Sequence, residues 1–200
     1  VHSLGEGMPT KAGVVVRGLP EPFAKRTVEG DLGVRVSVLS LMEAVSARVL
    51  AQDTNWSESQ VEDRIRLLNA QPETLPQDAD QVLGHQAVKL GVGRHVGRLS
   101  ELYTPSGLVW IQDGKDLSKV KRIIGTGGVL INSRDPLAVL EGAQQESTSL
   151  LELRPESPNY FLDGDYILAA MGLLAQEQPE GALTVLQNSL REYELTRRDK

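Results

Sequence analysis

Val120-Lys121-Arg122-Ile123-Ile124-Gly125-Thr126-Gly127-Gly128-Val129-Leu130-Ile131-Asn132 is the stretch on which the fold turns. An apolar run breaks into three glycines within four residues, Gly125, Gly127 and Gly128. Glycine frees the backbone to take positive φ and lets another group approach closely. More apolar residues follow, then Asp135-Pro136, a helix-start signal. Strand, glycine turn, helix is the order in which α/β proteins hold a nucleotide. The turn lacks the Gly-Lys-Ser/Thr ending of a Walker A loop and the full dinucleotide fingerprint. By spacing alone, a tight strand–helix connection that holds no ligand is the slightly better account.

Upstream of this stretch the chain changes character twice. Val1–Gly7 alternates weakly and ends in a Gly-Glu-Gly turn, Val14-Val15-Val16 is a β-branched run of strand length, and Phe23–Glu29 suits a further short strand. From Val34 to Leu50 the apolar residues Val34, Val38, Leu41, Met42, Val45 and Val49 fall at helical spacing. Ser57 with Gln60 resembles a capping box and opens a second helix marked by Val61, Ile65 and Leu68. Pro72 and Pro76 lie in the link to a third helix, from about Asp78 to Leu99. Gly84, Gly91, Gly93 and Gly97 punctuate it, each costing about 1 kcal/mol against Ala. Gly84, Gly91 and Gly97 describe a smooth face for close helix contact; the alternative is two shorter helices.

Tyr103–Gly107 reads as a turn and Leu108–Ile111 as a short strand. Downstream of the glycine turn, Pro136–Gln145 reads as a helix and Leu150–Leu153 as a possible last strand. A helix over Asp163–Ala175 directs Ile167, Leu168, Met171 and Leu174 inward, with Ala169, Ala170 and Gly172 suited to packing on a sheet. A final helix runs from Pro179 to about Glu192. Strands, then a helical block, then alternating strands and helices argue for α/β layering with a helical insertion.

Two hundred residues, 40% of them apolar, suit one domain or one domain with an insertion. A net charge of −6 and the lack of a basic, aromatic-studded stripe argue against nucleic acid as a partner. Arg197-Arg198 reads as a solvated tail. Without cysteine there is no disulfide, thiolate catalysis or Cys-ligated zinc. A reducing cytosol fits that lack of cysteine, and a cytoplasmic location is expected; no apolar run reaches the length of a membrane span and no signal peptide is present. The start at Val1, inside a strand-like pattern, suggests a fragment of a longer protein.

Other candidate residues each have a bland account. Arg26, Glu29, Asp31 and Arg35 cluster around two glycines, Gly30 and Gly33. Such a set suits phosphate or Mg²⁺. A salt-bridged turn, with Asp31 capping the next helix, is the better account for any one of them. His2, His85 and His95 have no metal-site spacing, so no tightly bound metal is expected. Asp163 and Asp165 suit helix capping more than cation binding, and Lys115-Asp116 reads as a surface turn. No Ser-His-Asp or Cys-His arrangement is evident.

Four segments taken together resemble one family: Lys25–Arg35, Gly114-Lys115-Asp116-Leu117, Ile124–Gly128 and Leu162–Leu174. Their order and spacing are similar to those of the MutL-type family, the large subunit of the reactivating factor for coenzyme B12-dependent glutamate mutase, unrelated to the mismatch-repair protein of that name. The resemblance implies one RNase H-like lobe of the actin, hexokinase and Hsp70-type ATPase fold, an α/β fold, here incomplete. It divides the chain into a β region of the nucleotide lobe (1–33), a helical insertion (34–102) and the remainder of that lobe with its adenosine motif and C-terminal helices (103–200).

It further implies that Gly125, Thr126, Gly127 and Gly128 support adenine and ribose. Val1-His2-Ser3 would be the tail of a phosphate hairpin, with Ser3, Arg26, Glu29 and Asp31 in the phosphate and Mg²⁺ surroundings. The chain lacks the first-lobe phosphate loop and the hairpin's Asp-x-Gly-Gly core. The implied ATPase, with ATP and Mg²⁺ as cofactors, is therefore the parent protein, and this stretch alone is expected to be inactive. The implied partners are a B12-dependent mutase and a small reactivating-factor subunit. ATP-driven lobe motion would release damaged cobalamin. A small-molecule kinase of the same superfamily and a non-enzymatic interaction domain are the alternatives.

Overall fold

Helix α4 (Gln77–His95) is the longest element among the described residues. The computed structural model describes residues 1–52, 54–74 and 77–193 of a mixed α/β fold. Pro76 and Arg197-Arg198 lie outside the described residues. Three apolar clusters border α4. Leu83 belongs to a helical core with Val38, Leu41, Val61 and Ile65. Val88 packs against both a second cluster, containing Leu130, Val139, Tyr160 and Leu162, and a third, containing Val92, Val96, Leu117 and Ala143.

The glycines of α4 explain how so much can approach it. A Cβ on Gly84 would meet Val129 Cγ1 at 2.9 Å, and one on Gly93 would meet the Arg154 guanidinium at 2.5 Å. Of the two readings of this segment, one continuous helix is observed in place of two, but of the three glycines read as its smooth face Gly97 lies beyond it, and the second close approach is at Gly93. The helix ends at His95 and does not continue to Leu99, because Gly97 presses on the Gly114 backbone, where a Cβ would lie 2.6 Å from the carbonyl carbon.

Before α4 come β1 (His2–Leu4), β2 (Val14–Arg17) and β3 (Ala24–Arg26), at the three places where short strands were read. The helix expected over Val34–Leu50 is two, α1 (Val38–Val45) and α2 (Ala47–Gln52), broken where Ser46 takes φ +70°. The capping box is present: Ser57 Oγ accepts from Gln60 N and Gln60 Oε1 accepts from Ser57 N, opening α3 (Glu58–Ala70).

After α4 the chain forms β4 (Arg98–Thr104), β5 (Gly107–Asp113), β6 (Arg122–Gly125), α5 (Gly128–Ile131), α6 (Pro136–Leu140), β7 (Asn159–Asp163), α7 (Leu168–Leu174), α8 (Pro179–Ser189) and β8 (Leu190–Tyr193). Among the described residues the strands form three sheets: β1 antiparallel to β3; β2 parallel to β5, which is antiparallel to β4; and β6 parallel to β7, which is antiparallel to β8.

Several readings are corrected here. Strands β4, β7 and β8 were not expected. Leu150–Leu153 contributes only a single bridge, Glu152 to Arg98. The helix after Pro136 gives way to a 3-10 turn at Glu141–Ala143. The final helix stops at Ser189. No residue of α7 is buried: Leu168 and Met171 are half-buried, Leu174 is exposed, and Ala169, Ala170 and Gly172 face no sheet. Helix α7 packs instead on α8. Among the described residues no helix is long and apolar enough to cross a membrane.

Candidate functional site

Strands β6 and β7 run parallel in the register Ile124 to Phe161 and Gly125 to Leu162, so both end at the same edge and each opens into a helix. A crevice beyond the carboxyl ends of parallel strands is where α/β sheets place ligands. Gly125 is buried, and a Cβ there would meet Leu130 Cδ1 and Leu140 Cδ2, both at 2.7 Å. Gly127 takes φ +117°, a conformation that side chains other than glycine's rarely adopt, with nothing within 4 Å of where its Cβ would stand. The backbone of the turn is thus open on that side. The carbonyl of Gly127 accepts from the N–H groups of Leu130 and Ile131, which closes α5 over the turn.

One carboxylate holds the two strand ends together. The exposed Thr126 donates its hydroxyl to Asp163 Oδ2 at 2.9 Å. Asp163 is fully buried, and it also accepts from the N–H groups of Ile167 and Leu168, each at 2.9 Å. Its carboxylate thus takes the N–H groups at the start of α7 from outside the helix: α7 begins at Leu168 with Ile167 as its N-cap, not at Asp163 as expected. Asp165 is exposed and faces Arg191 at 3.9 Å.

The second candidate group gathers at the other end of α4. In the pairing of β1 with β3, Ser3 lies opposite Lys25 and His2 opposite the exposed Arg26. Ser3 Oγ and Thr27 Oγ1 hydrogen-bond the two ring nitrogens of His95, at 2.8 and 3.0 Å. His95 is fully buried, and burial, seconded by the charge of Lys25, pulls its pKa from 6.5 to about 4. Its ring is neutral at neutral pH, and each hydroxyl can take whichever role the tautomer leaves open. Glu29 and Asp31 both accept from Arg94 Nη1, at 2.7 and 2.9 Å. That hydrogen bond holds the Asp31 carboxyl below its usual range.

Ser3, Glu29 and Asp31 are thus brought together by the last two residues of α4. Arg35, read with them in sequence, turns away to Asp80 and the carbonyl of Pro72. Asp31 is not the N-cap of α1, which is Ser37. The glycine turn rests on α4 at the level of Gly84, and Val1 and Glu29 rest on it at Gly91. Seven residues of helix separate those levels by about 10 Å.

Three contributions escaped the sequence reading. Arg94 and His95 gather their partners from at least 63 positions away, so no local spacing announces them. Lys115, read as a surface turn, is fully buried, and its Nζ donates to the carbonyls of Pro22 and Phe23. Its neighbour Asp116 accepts from Thr10 and from Ser118 N. Among the described residues, no three His, Asp or Glu side chains gather as a metal site would require.

Comparison with known proteins places these features in a lineage. Residues 1–190 match the family described as MutL protein. Protein MutL of Clostridium tetanomorphum is 43% identical over 195 residues, covering 95% of this chain and 42% of that protein. The chain thus spans about two fifths of the length of the curated relative it matches. No solved structure matches.

Proposed function

The chain belongs to the MutL protein family, and from that premise we propose that it is part of an ATP-dependent reactivating factor for a coenzyme B12-dependent mutase. In this reading it forms most of one lobe of an actin-like ATPase. Nucleotide binding and hydrolysis in the longer protein open and close the lobes, loosening a mutase that holds a damaged cobalamin so that the cofactor exchanges.

The observation that carries the reading is the turn at Gly125–Gly128. Its left-handed Gly127 exposes a bare stretch of backbone at the end of two parallel strands. A flat group such as adenosine fits against such backbone, and any side chain at Gly127 would stand where it lies. Glu29 and Asp31 fit a cation less well, because Arg94 already holds both carboxylates. Mg²⁺ and the phosphates are therefore assigned to groups elsewhere in the longer protein, and this chain's share is to hold and orient the nucleoside. A mutase and a small reactivating subunit are the corresponding partners.

Titration of the full-length protein with Mg-ATP tests this. Binding is expected, weakened at least about tenfold by Gly127→Val, the equivalent of about 1.4 kcal/mol. No binding, or an affinity untouched by the substitution, would count decisively against it.

A further inference from the structure

We infer that Tyr166 is an aromatic platform for the nucleobase at the Gly125–Gly128 turn. The inference rests on the nucleotide reading of that turn and adds a residue to it. Two non-glycine residues take positive φ among those described, Ser46 and Tyr166. Ser46 ends a helix, whereas Tyr166, at φ +57° and 65% exposed, ends no element. A bulky residue in this region is strained, and strain of this kind collects at functional positions.

What maintains the conformation is the same carboxylate that holds the glycine turn. Tyr166 N donates to the Asp163 carbonyl at 3.2 Å, and the Asp163 side chain takes the next two N–H groups together with the Thr126 hydroxyl. Tyr166 lies three residues from Asp163, within about 10 Å of it even for extended chain. Thr126 is in direct hydrogen-bond contact with that residue, so the turn is within reach of a tyrosine side chain.

The chain has few aromatic residues, which makes position informative. Phe23, Tyr103 and Tyr166 are the aromatics more than 60% exposed among the described residues. Phe23 precedes β3 and Tyr103 lies near the tip of the β4–β5 hairpin, whereas Tyr166 alone stands at the shared end of β6 and β7. An exposed ring at the same strand end as open backbone, and within reach of it, would supply the second of two surfaces between which a flat base is held; stacking of a base on an aromatic side chain is tolerant of base identity.

The test uses the full-length protein with Tyr166→Gly, Tyr166→Phe and Gly127→Val, titrated with ATP and with inorganic tripolyphosphate, which has no base. Glycine removes the ring and suits φ +57°, so Tyr166→Gly should melt no earlier than the unsubstituted protein. Expected is an ATP affinity reduced about tenfold in Tyr166→Gly, near-normal affinity in Tyr166→Phe, and tripolyphosphate binding unchanged in both. Unaltered ATP affinity in Tyr166→Gly, with loss in Gly127→Val, would overturn the platform and leave the nucleotide reading standing. Equal losses for ATP and tripolyphosphate would likewise overturn it. An unsubstituted protein that binds no ATP would overturn both.

Discussion

Thr126 and Asp163 stand 37 positions apart, close two different strands, and are joined by a hydrogen bond of 2.9 Å. The carboxylate is fully buried and the threonine is at the surface. The bond therefore transmits the position of a core group to an exposed glycine turn. It also couples that turn to the start of α7, whose first N–H groups share the same carboxylate. Any displacement of the turn by a bound group would be felt at α7, and the converse holds equally.

Removing the carboxylate should be costly. Asp163→Ala strands the Thr126 hydroxyl and the N–H groups of Ile167 and Leu168. Hydrogen bonds to a charged acceptor contribute about 1.5–3 kcal/mol each and do not add fully, so a loss of about 3 kcal/mol is expected. Thr126→Val leaves Asp163 with both backbone donors and should cost about 1 kcal/mol. Urea unfolding of the two variants measures both. A smaller loss for Asp163→Ala than for Thr126→Val would contradict the shared-anchor view.

Two glycines predict opposite signs for one substitution. At Gly125 a methyl group would meet Leu130 and Leu140 at 2.7 Å, inside a packed cluster. Overpacking of this kind costs about 1–3 kcal/mol, so Gly125→Ala should lower the thermal midpoint. Gly172 lies in α7 with nothing within 4 Å of a Cβ. There alanine gains helix propensity and should stabilise by about 0.5–1 kcal/mol. Paired melting curves decide it.

The capping box at α3 gives a local prediction. Ser57 Oγ accepts from Gln60 N at 3.3 Å, and Gln60 Oε1 returns the bond to Ser57 N at 2.8 Å. Ser57→Ala should cost about 1 kcal/mol. It should also speed amide exchange in the first turn of α3 more than elsewhere.

That box and the glycine turn were legible because their chemistry is local: the residues that signal each feature also build it. The strands that escaped notice have the opposite property. In β4 most residues are exposed, so no alternation marks it, and it exists through its ladder with β5. Strand β8 follows α8 without an intervening loop and is set by pairing with β7. The apolar spacing of α7 suggested an inward face, yet its leucines are exposed or half-buried in this chain. For the candidate site, Gly125–Gly128 could be named from sequence, whereas Arg94 and His95 could not. Their partners Glu29, Asp31, Ser3 and Thr27 reach them only once α4 has docked beside β1 and β3.

His95 makes that docking sensitive to acid. The ring is fully buried between Ser3 and Thr27, and its pKa is lowered from 6.5 to about 4. Between those two values the unfolded chain binds a proton that the folded chain refuses, so stability rises with pH across the window and is lost as pH falls from about 6.5 to about 4. Below about 4 both states are protonated and this contribution is gone. A shift of that size corresponds to a contribution on the order of 3 kcal/mol at neutral pH. His95→Gln can still hydrogen-bond both hydroxyls but does not titrate. Its unfolding free energy should therefore fall less steeply than that of the unsubstituted protein from pH 6.5 to 4, the difference between the two curves being the histidine's share. Denaturant titrations at half-unit pH intervals measure that difference directly. Parallel curves across the window would mean that the folded protein takes up the proton at His95 as readily as the unfolded chain does, and that the ring does not seal the junction between α4 and the β1–β3 pair.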